Sequence, residues 1–336
     1  MNKFTWLLVV LLLAASCSPK KKIPDVSGIK VSLNIERFDQ DFFAIDTSHL
    51  TRSLDRLQEK YPVFLNDFLY NIMAMPPQED SLKAALKLFY HDYKKVYDSA
   101  QLKFPNFSPI SKQIERGFRF VKYYFPDYKL PQNVILFIGP IEGYGNVLTS
   151  SGLAVGLQLY LGKNFPAYQT DYIQSVYPPY QSARFEPAYI PVNCLRNILE
   201  DIYPGRGNGK PLIEQMIEEG KRMYLLDAFL PDTPDTLKTG YTGKQLDGCY
   251  KNEALIWNYF VENNLLFITD PMQTRDYVSD GPKTEALGDA SPGNIGRFVG
   301  WQIVKKWMGM DAKRTLTDLI NTPAKTIFEE AAYKPR

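Results

Sequence analysis

In the middle of this chain the apolar periodicity leaves the helical pattern, and that change limits the possible folds. Over most of its length apolar residues recur at helical spacing. Between Asn133 and Gly162 the spacing shifts: Asn133–Ile138 is a β-branched and apolar run closed by Gly139-Pro140, and Gly152–Gly162 alternates Leu153, Val155, Leu157, Leu159 and Leu161. Two short strands inside a helical chain predict an α+β fold, mostly helical around a small mixed sheet. A further strand is expected over Lys30–Ile35, where Val31, Leu33 and Ile35 alternate with polar residues, and Gly143–Gly152 reads as a loop. Helices are expected around Leu50–Leu57, Phe64–Ile72, Leu82–Val96, Ile110–Phe125, Leu195–Ile202, Leu212–Phe229, Asn252–Asn264 and Gly293–Met308. The last would have Ser291 as cap and Pro292 in its first turn. Gly296 and Gly300 stand four apart on it, which would admit a second backbone at close range.

The chain begins with a segment that does not belong to the fold. Lys3 precedes an apolar run, Phe4–Ala15, and Ala14, Ala15 and Ser16 lead to Cys17. This is the layout of an export signal. The run is shorter than the roughly 20 apolar residues needed to span a bilayer. A cysteine directly after small residues fits a lipoprotein cleavage site, although Ala14 stands where leucine is usual. Residues 1–16 are thus expected to be removed, Cys17 to carry lipid, and residues 17–28 to form a tether, with one globular domain over 29–336. Within that domain a helical lobe over 29–130 precedes a second lobe over 131–336. Lys20, Lys21 and Lys22 in the tether could touch anionic headgroups and reinforce the lipid. They lack acidic company, which favours the periplasmic leaflet of the outer membrane over the cell surface.

Composition excludes several classes. Removing the signal with its single lysine lowers the formal charge from +2 to +1, which leaves no clustered basic face for a nucleic acid. The only histidines, His49 and His91, lie far apart in the helical N-terminal third, so no helix carries two imidazoles at i and i+4 to hold zinc. There is no Gly-x-Ser-x-Gly elbow, phosphate loop or Cys-x-x-Cys pair. Gly205–Gly209 follows a helix rather than a strand, unlike a nucleotide loop. Asp39, Asp41, Asp46 and Asp67 are expected in solvated or capping roles. Cys194 and Cys249 could pair after export or serve as small buried groups. No cofactor, metal or catalytic set is expected.

Several segments together resemble the GldB type of gliding-motility lipoprotein found in Bacteroidota: the lipoprotein start, Glu36-Arg37-Phe38-Asp39, Lys60-Tyr61-Pro62, Gly156–Gly162 (GLQLYLG) and, most specific, Ser291–Met308 (SPGNIGRFVGWQIVKKWM). That family is similar in turn to zinc peptidases of the gluzincin kind, in which one helix carries His-Glu-x-x-His and the next a glutamate followed by glycine. The resemblance implies a zincin-like core over 131–336 in which Asn193 and Asn197 occupy the imidazole positions, Cys194 that of the base, and Glu219-Gly220 the third ligand. Neutral amides are poor zinc ligands, and Cys194 offers no carboxylate to take a proton from water. The vestigial cleft so implied comprises Asn193, Cys194, Asn197, Glu219 and Arg297. Arg297 could bind a carboxylate there or pair with an acid at the surface.

Three functions fit these readings. The first is a non-catalytic envelope protein, held by lipid on Cys17, that docks with other proteins of the gliding or associated secretion machinery. The second is an envelope hydrolase using carboxylates such as Glu218 or Glu219. The third is a ligand-binding lipoprotein.

Overall fold

The computed structural model describes residues 23–335. Cys17, the signal and Lys20–Lys22 lie outside the described residues. The segment read as a tether through residue 28 is already docked at its end, since Val26 is buried.

The N-terminal part holds β1 (Asn34–Glu36), α1 (Phe38–Phe43), α2 (Leu50–Lys60), α3 (Phe64–Asn66), a π-helical stretch (Asp67–Ile72), α4 (Glu79–Lys103) and α5 (Ser108–Tyr124). The sheet is completed by β2 (Asn133–Phe137), β3 (Asn146–Thr149) and β4 (Gly152–Gly156). Short helices α6 (Asp171–Val176) and α7 (Pro179–Ser182) lead into α8 (Tyr189–Ile202) and α9 (Leu212–Phe229). Then come α10 (Asp235–Thr239), α11 (Gly243–Lys251), α12 (Glu253–Glu262), α13 (Pro271–Val278), α14 (Ile295–Gly309), α15 (Leu316–Asn321) and α16 (Ala324–Ala331). The α+β expectation stands: helices surround a four-stranded mixed sheet.

Strand order is β1-β2-β4-β3, with β1, β2 and β4 parallel and β3 antiparallel on the edge. Parallel strands covered on both faces need apolar residues throughout. Val134–Phe137 and the whole of β4 are accordingly buried. The alternation read over Gly152–Gly162 therefore does not describe one half-buried strand. Strand β4 stops at Gly156 and a 3₁₀ turn (Leu157–Leu159) follows. The buried Gln158 enforces this stop: its Oε1 accepts from Gly139 N (3.0 Å) and its Nε2 donates to Tyr144 O (3.0 Å). The segment read as a loop contains β3, which no sequence pattern marked because all four of its residues are only partly covered. Gly152 closes the β3–β4 turn at φ +146°, and a Cβ there would lie 2.5 Å from Asn133 O. Strand β1 begins later than read, at Asn34, whose N–H donates to Gln132 O (2.9 Å).

Two apolar clusters form the interior. One joins the N-terminal helices, the sheet, α8 and the C-terminal part of α9, and so spans both lobes read from sequence. The other gathers the start of α9 with α11–α16. Helix α9 serves both, which explains why apolar residues surround it rather than forming one stripe. Against it lies α14. A Cβ on Gly300 would sit 1.6 Å from Met216 O, and one on Gly220 would sit 2.2 Å from Gly300 C. Helix α14 starts at Ile295, not Gly293, and its cap is Asn294 in the left-handed conformation (φ 53°), whose side chain accepts from Arg297 N. Asparagine tolerates this conformation and caps helices well. Ser291 instead bridges the preceding loop, accepting from Thr284 N and donating to Gly288 O. Helices α15 and α16 follow beyond the last helix read from sequence.

Asp39 also departs from expectation. It is fully buried, with Arg37 Nε and Nη2 donating to its two oxygens at 2.9 and 2.7 Å. The neighbouring Phe38 lies at the centre of an aromatic group with Tyr61, Phe64 and Phe68, at centroid distances of 4.8–5.0 Å. The Glu36–Asp39 segment is thus architectural. Asp46 is exposed, as read, and accepts from Ser48 N (2.8 Å) in the turn before α2. Among the described residues no helix is long and apolar enough to cross a membrane.

Candidate functional site: an arginine-bearing cleft

A cleft of about 510 Å³ opens where β3, α8 and α14 meet. Helix α8 presents Tyr189, Asn193, Arg196 and Asn197 to it, spacings of three and four that share one helix face. The opposite face of α8, with Leu195, Ile198 and Leu199, is buried. Asn146 at the start of β3 and Tyr160 after the 3₁₀ turn form one wall; Tyr177, Gln181, Arg184 and Phe185 form another. Gly240, Asp280 and Arg297 complete it.

A chain of polar contacts crosses the floor. Asn193 Nδ2 donates to the Tyr160 hydroxyl at 2.8 Å, and that hydroxyl donates to Asn146 Oδ1. Asn146 Nδ2 reaches Cys194 Sγ at 3.3 Å. Burial holds both the Tyr160 hydroxyl and the Cys194 thiol well above their ordinary ranges, so both stay protonated at neutral pH.

The arginines rest on the C-terminal end of α10. Helix ends leave carbonyls without partners inside the helix, and here arginines use them. Arg196 Nη2 donates to Lys238 O, and Arg297 Nη1 to Thr239 O at 3.1 Å. Gly240 follows at φ +76°, and a Cβ on it would press within 2.9 Å of Arg184 Nε.

The three guanidinium charges are compensated unequally. Arg184 grips Asp280 through both Nη atoms at 3.0–3.1 Å. Arg297 Nε lies 3.5 Å from Glu219, a carboxylate that Arg222 also approaches at 4.0 Å. Arg196 has no acidic partner among the described residues, and its Nε is buried without any hydrogen bond, as is that of Arg184. Burial, then the charge of Arg297, push Arg196 down to about 9.

The five residues implied by the resemblance thus fall into three places. Asn193, Asn197 and Arg297 line the cleft. Glu219 stands behind it and reaches it through Arg297. Cys194 lies beneath it, fully buried under Asn146, and presents no group to the cleft. Arg297 is therefore a cleft residue and not a surface one. Sequence reasoning missed Arg184, Arg196, Asn146 and Tyr160. Arg196 alone carried a signal, as the one cation on the helix marked by Leu195, Ile198, Leu199 and Ile202; the others come from distant segments and only folding unites them.

Other candidates stand elsewhere. Glu218 is buried in a structural cluster with the Tyr203 hydroxyl, Lys210 (3.1 Å) and Lys221 (3.5 Å). His49 is exposed, its Nδ1 2.8 Å from Asp46, and His91 is exposed on α4. Cys194 and Cys249 are unpaired and buried in different apolar clusters. Among the described residues no group of three or more His, Cys, Asp or Glu is placed to hold a metal ion.

A helical α+β body with a polar, arginine-bearing cleft is the class these features define. The family of the gliding motility protein GldB matches residues 19–335, and the chain belongs to that family of lipoproteins. No curated protein and no solved structure matches it.

Proposed function

We propose that this chain is an envelope lipoprotein of the gliding motility type. Lipid on Cys17 holds it at the periplasmic face of the outer membrane, and it works by non-covalent docking to other envelope proteins of the motility or associated secretion apparatus, without catalysis. The observation that carries this reading is the character of the cleft. At i and i+4 of α8, where a gluzincin would present imidazoles, Asn193 and Asn197 offer amides, and guanidinium groups surround them. Amides and arginines recognise carboxylates and peptide groups by hydrogen bonding, whereas neither activates water as zinc does. The order of β3, β4, α8 and α9, with Glu219-Gly220 on the second helix, supports descent from a zincin-like peptidase whose metal ligands have been replaced.

The test is complementation of a gliding bacterium that lacks its own family member. The unaltered chain restores spreading and fractionates with membranes. Cys17→Ser leaves the membrane fraction and fails to restore spreading. Full rescue by Cys17→Ser would remove the anchor from the account, and digestion of the protein by protease added to intact cells would move it to the outer leaflet.

A further inference from the structure

We infer that the cleft is a receptor site for an organic carboxylate the size of a short peptide, with the carboxylate seated on Arg196. The inference deepens the docking reading and rests on it. Three features converge. Arg196 lines the cleft from α8 and makes no ion pair among the described residues, while its neighbours Arg184 and Arg297 each make one. Its Nε is a buried donor without an acceptor, as is that of Arg184. Donors in a protein interior are nearly always satisfied, so a guanidinium left short of acceptors at the edge of a cleft points to an acceptor supplied from the cleft. The guanidinium fork matches a planar carboxylate through two parallel hydrogen bonds. Among the described residues only Nη2 of Arg196 has an acceptor, the Lys238 carbonyl, and Nη2 carries a second N–H; with Nη1 it forms the end-on fork that would meet a carboxylate.

The remaining lining describes the rest of the ligand. Tyr177, Phe185 and Tyr189 supply aromatic walls, and Asn197 supplies a side-chain amide. Such walls suit an uncharged or apolar body carrying one negative end, rather than a compact, strongly hydrated anion. The nearby charges agree: Asp280 and Glu219 neutralise the other two arginines, so the cleft holds one surplus positive charge.

The experiment is isothermal titration of the full-length protein in detergent with three probes: an N-acetylated tripeptide bearing aromatic side chains and a free C-terminal carboxylate, its C-terminal amide, and inorganic phosphate. The peptide acid is expected to bind, more weakly as salt is raised, with the amide and phosphate at least about tenfold weaker. Arg196→Gln should lose the binding. Because that change could disturb the seat on Lys238, Asn197→Asp provides a second variant: it sets an internal carboxylate in the cleft, and is expected to raise the melting temperature while abolishing binding. Equal binding of acid and amide, preference for phosphate, or unaltered binding by Asn197→Asp would each overturn the assignment. Mass spectrometry of the titrated peptide separates the two readings. An intact, unbound peptide defeats this inference alone, whereas a cleaved peptide defeats the non-catalytic reading beneath it.

Discussion

Glu218 and Glu219 are adjacent in sequence and belong to different parts of the molecule, because neighbours on a helix point about 100° apart. Glu219 faces the arginines of the cleft, while Glu218 faces the buried Lys221, whose Nζ also donates to Thr322 O at 2.7 Å. Burial alone would raise the Glu218 pKa. The Tyr203 hydroxyl, Lys221 and Lys210 outweigh it and hold the carboxyl below its ordinary value. Since the folded value is the lower one, ionised Glu218 stabilises the fold above the ordinary glutamate range. That contribution is lost as pH falls through the lowered value. Glu218→Gln leaves Lys221 buried without a carboxylate, and urea denaturation at pH 7 should show a loss of about 3 kcal/mol. The difference from the unaltered protein should shrink on acidification below about pH 4. A Glu218→Gln protein that is fully stable, or one that loses a hydrolytic activity instead, would show that the cluster is not structural.

At the level of elements, the most demanding contact is between α9 and α14, where Gly220 and Gly300 let two backbones touch. Gly300→Ala pushes a methyl group into the Met216 carbonyl, so the helices must separate. A loss of about 3 kcal/mol is expected from such overpacking, read as a lowered midpoint in chemical denaturation, whereas Gly309→Ala, in open space at the end of α14, should change little. This contact was legible beforehand from the Gly296 and Gly300 spacing. So were the long helices and β2, whose apolar runs report burial directly. The edge strand β3 was not: its residues are half-covered and polar-flanked, and only pairing with β4 makes it a strand. Nor was the start of α14, because Ser291-Pro292 imitates a cap while the left-handed Asn294 supplies the real one. The Asn193, Asn197 and Arg297 part of the cleft could be reached through a family likeness. The unpaired state of Arg196 could not, since it depends on Asp280 and Glu219 being held by other arginines.

The whole molecule couples two apolar clusters through α9 and places the cleft beside their junction, against α8. In the proposed role, lipid on Cys17 would hold this body at a membrane and leave the cleft to face its partners. The proposed docking role requires this cleft to hold ligands without breaking them. The most direct test measures zinc content and peptide turnover together, on the full-length protein purified without chelator and offered peptides with and without added zinc. Far less than one zinc per chain and intact peptides under both conditions are expected; one tightly held zinc per chain with cleavage to match would contradict a non-catalytic cleft.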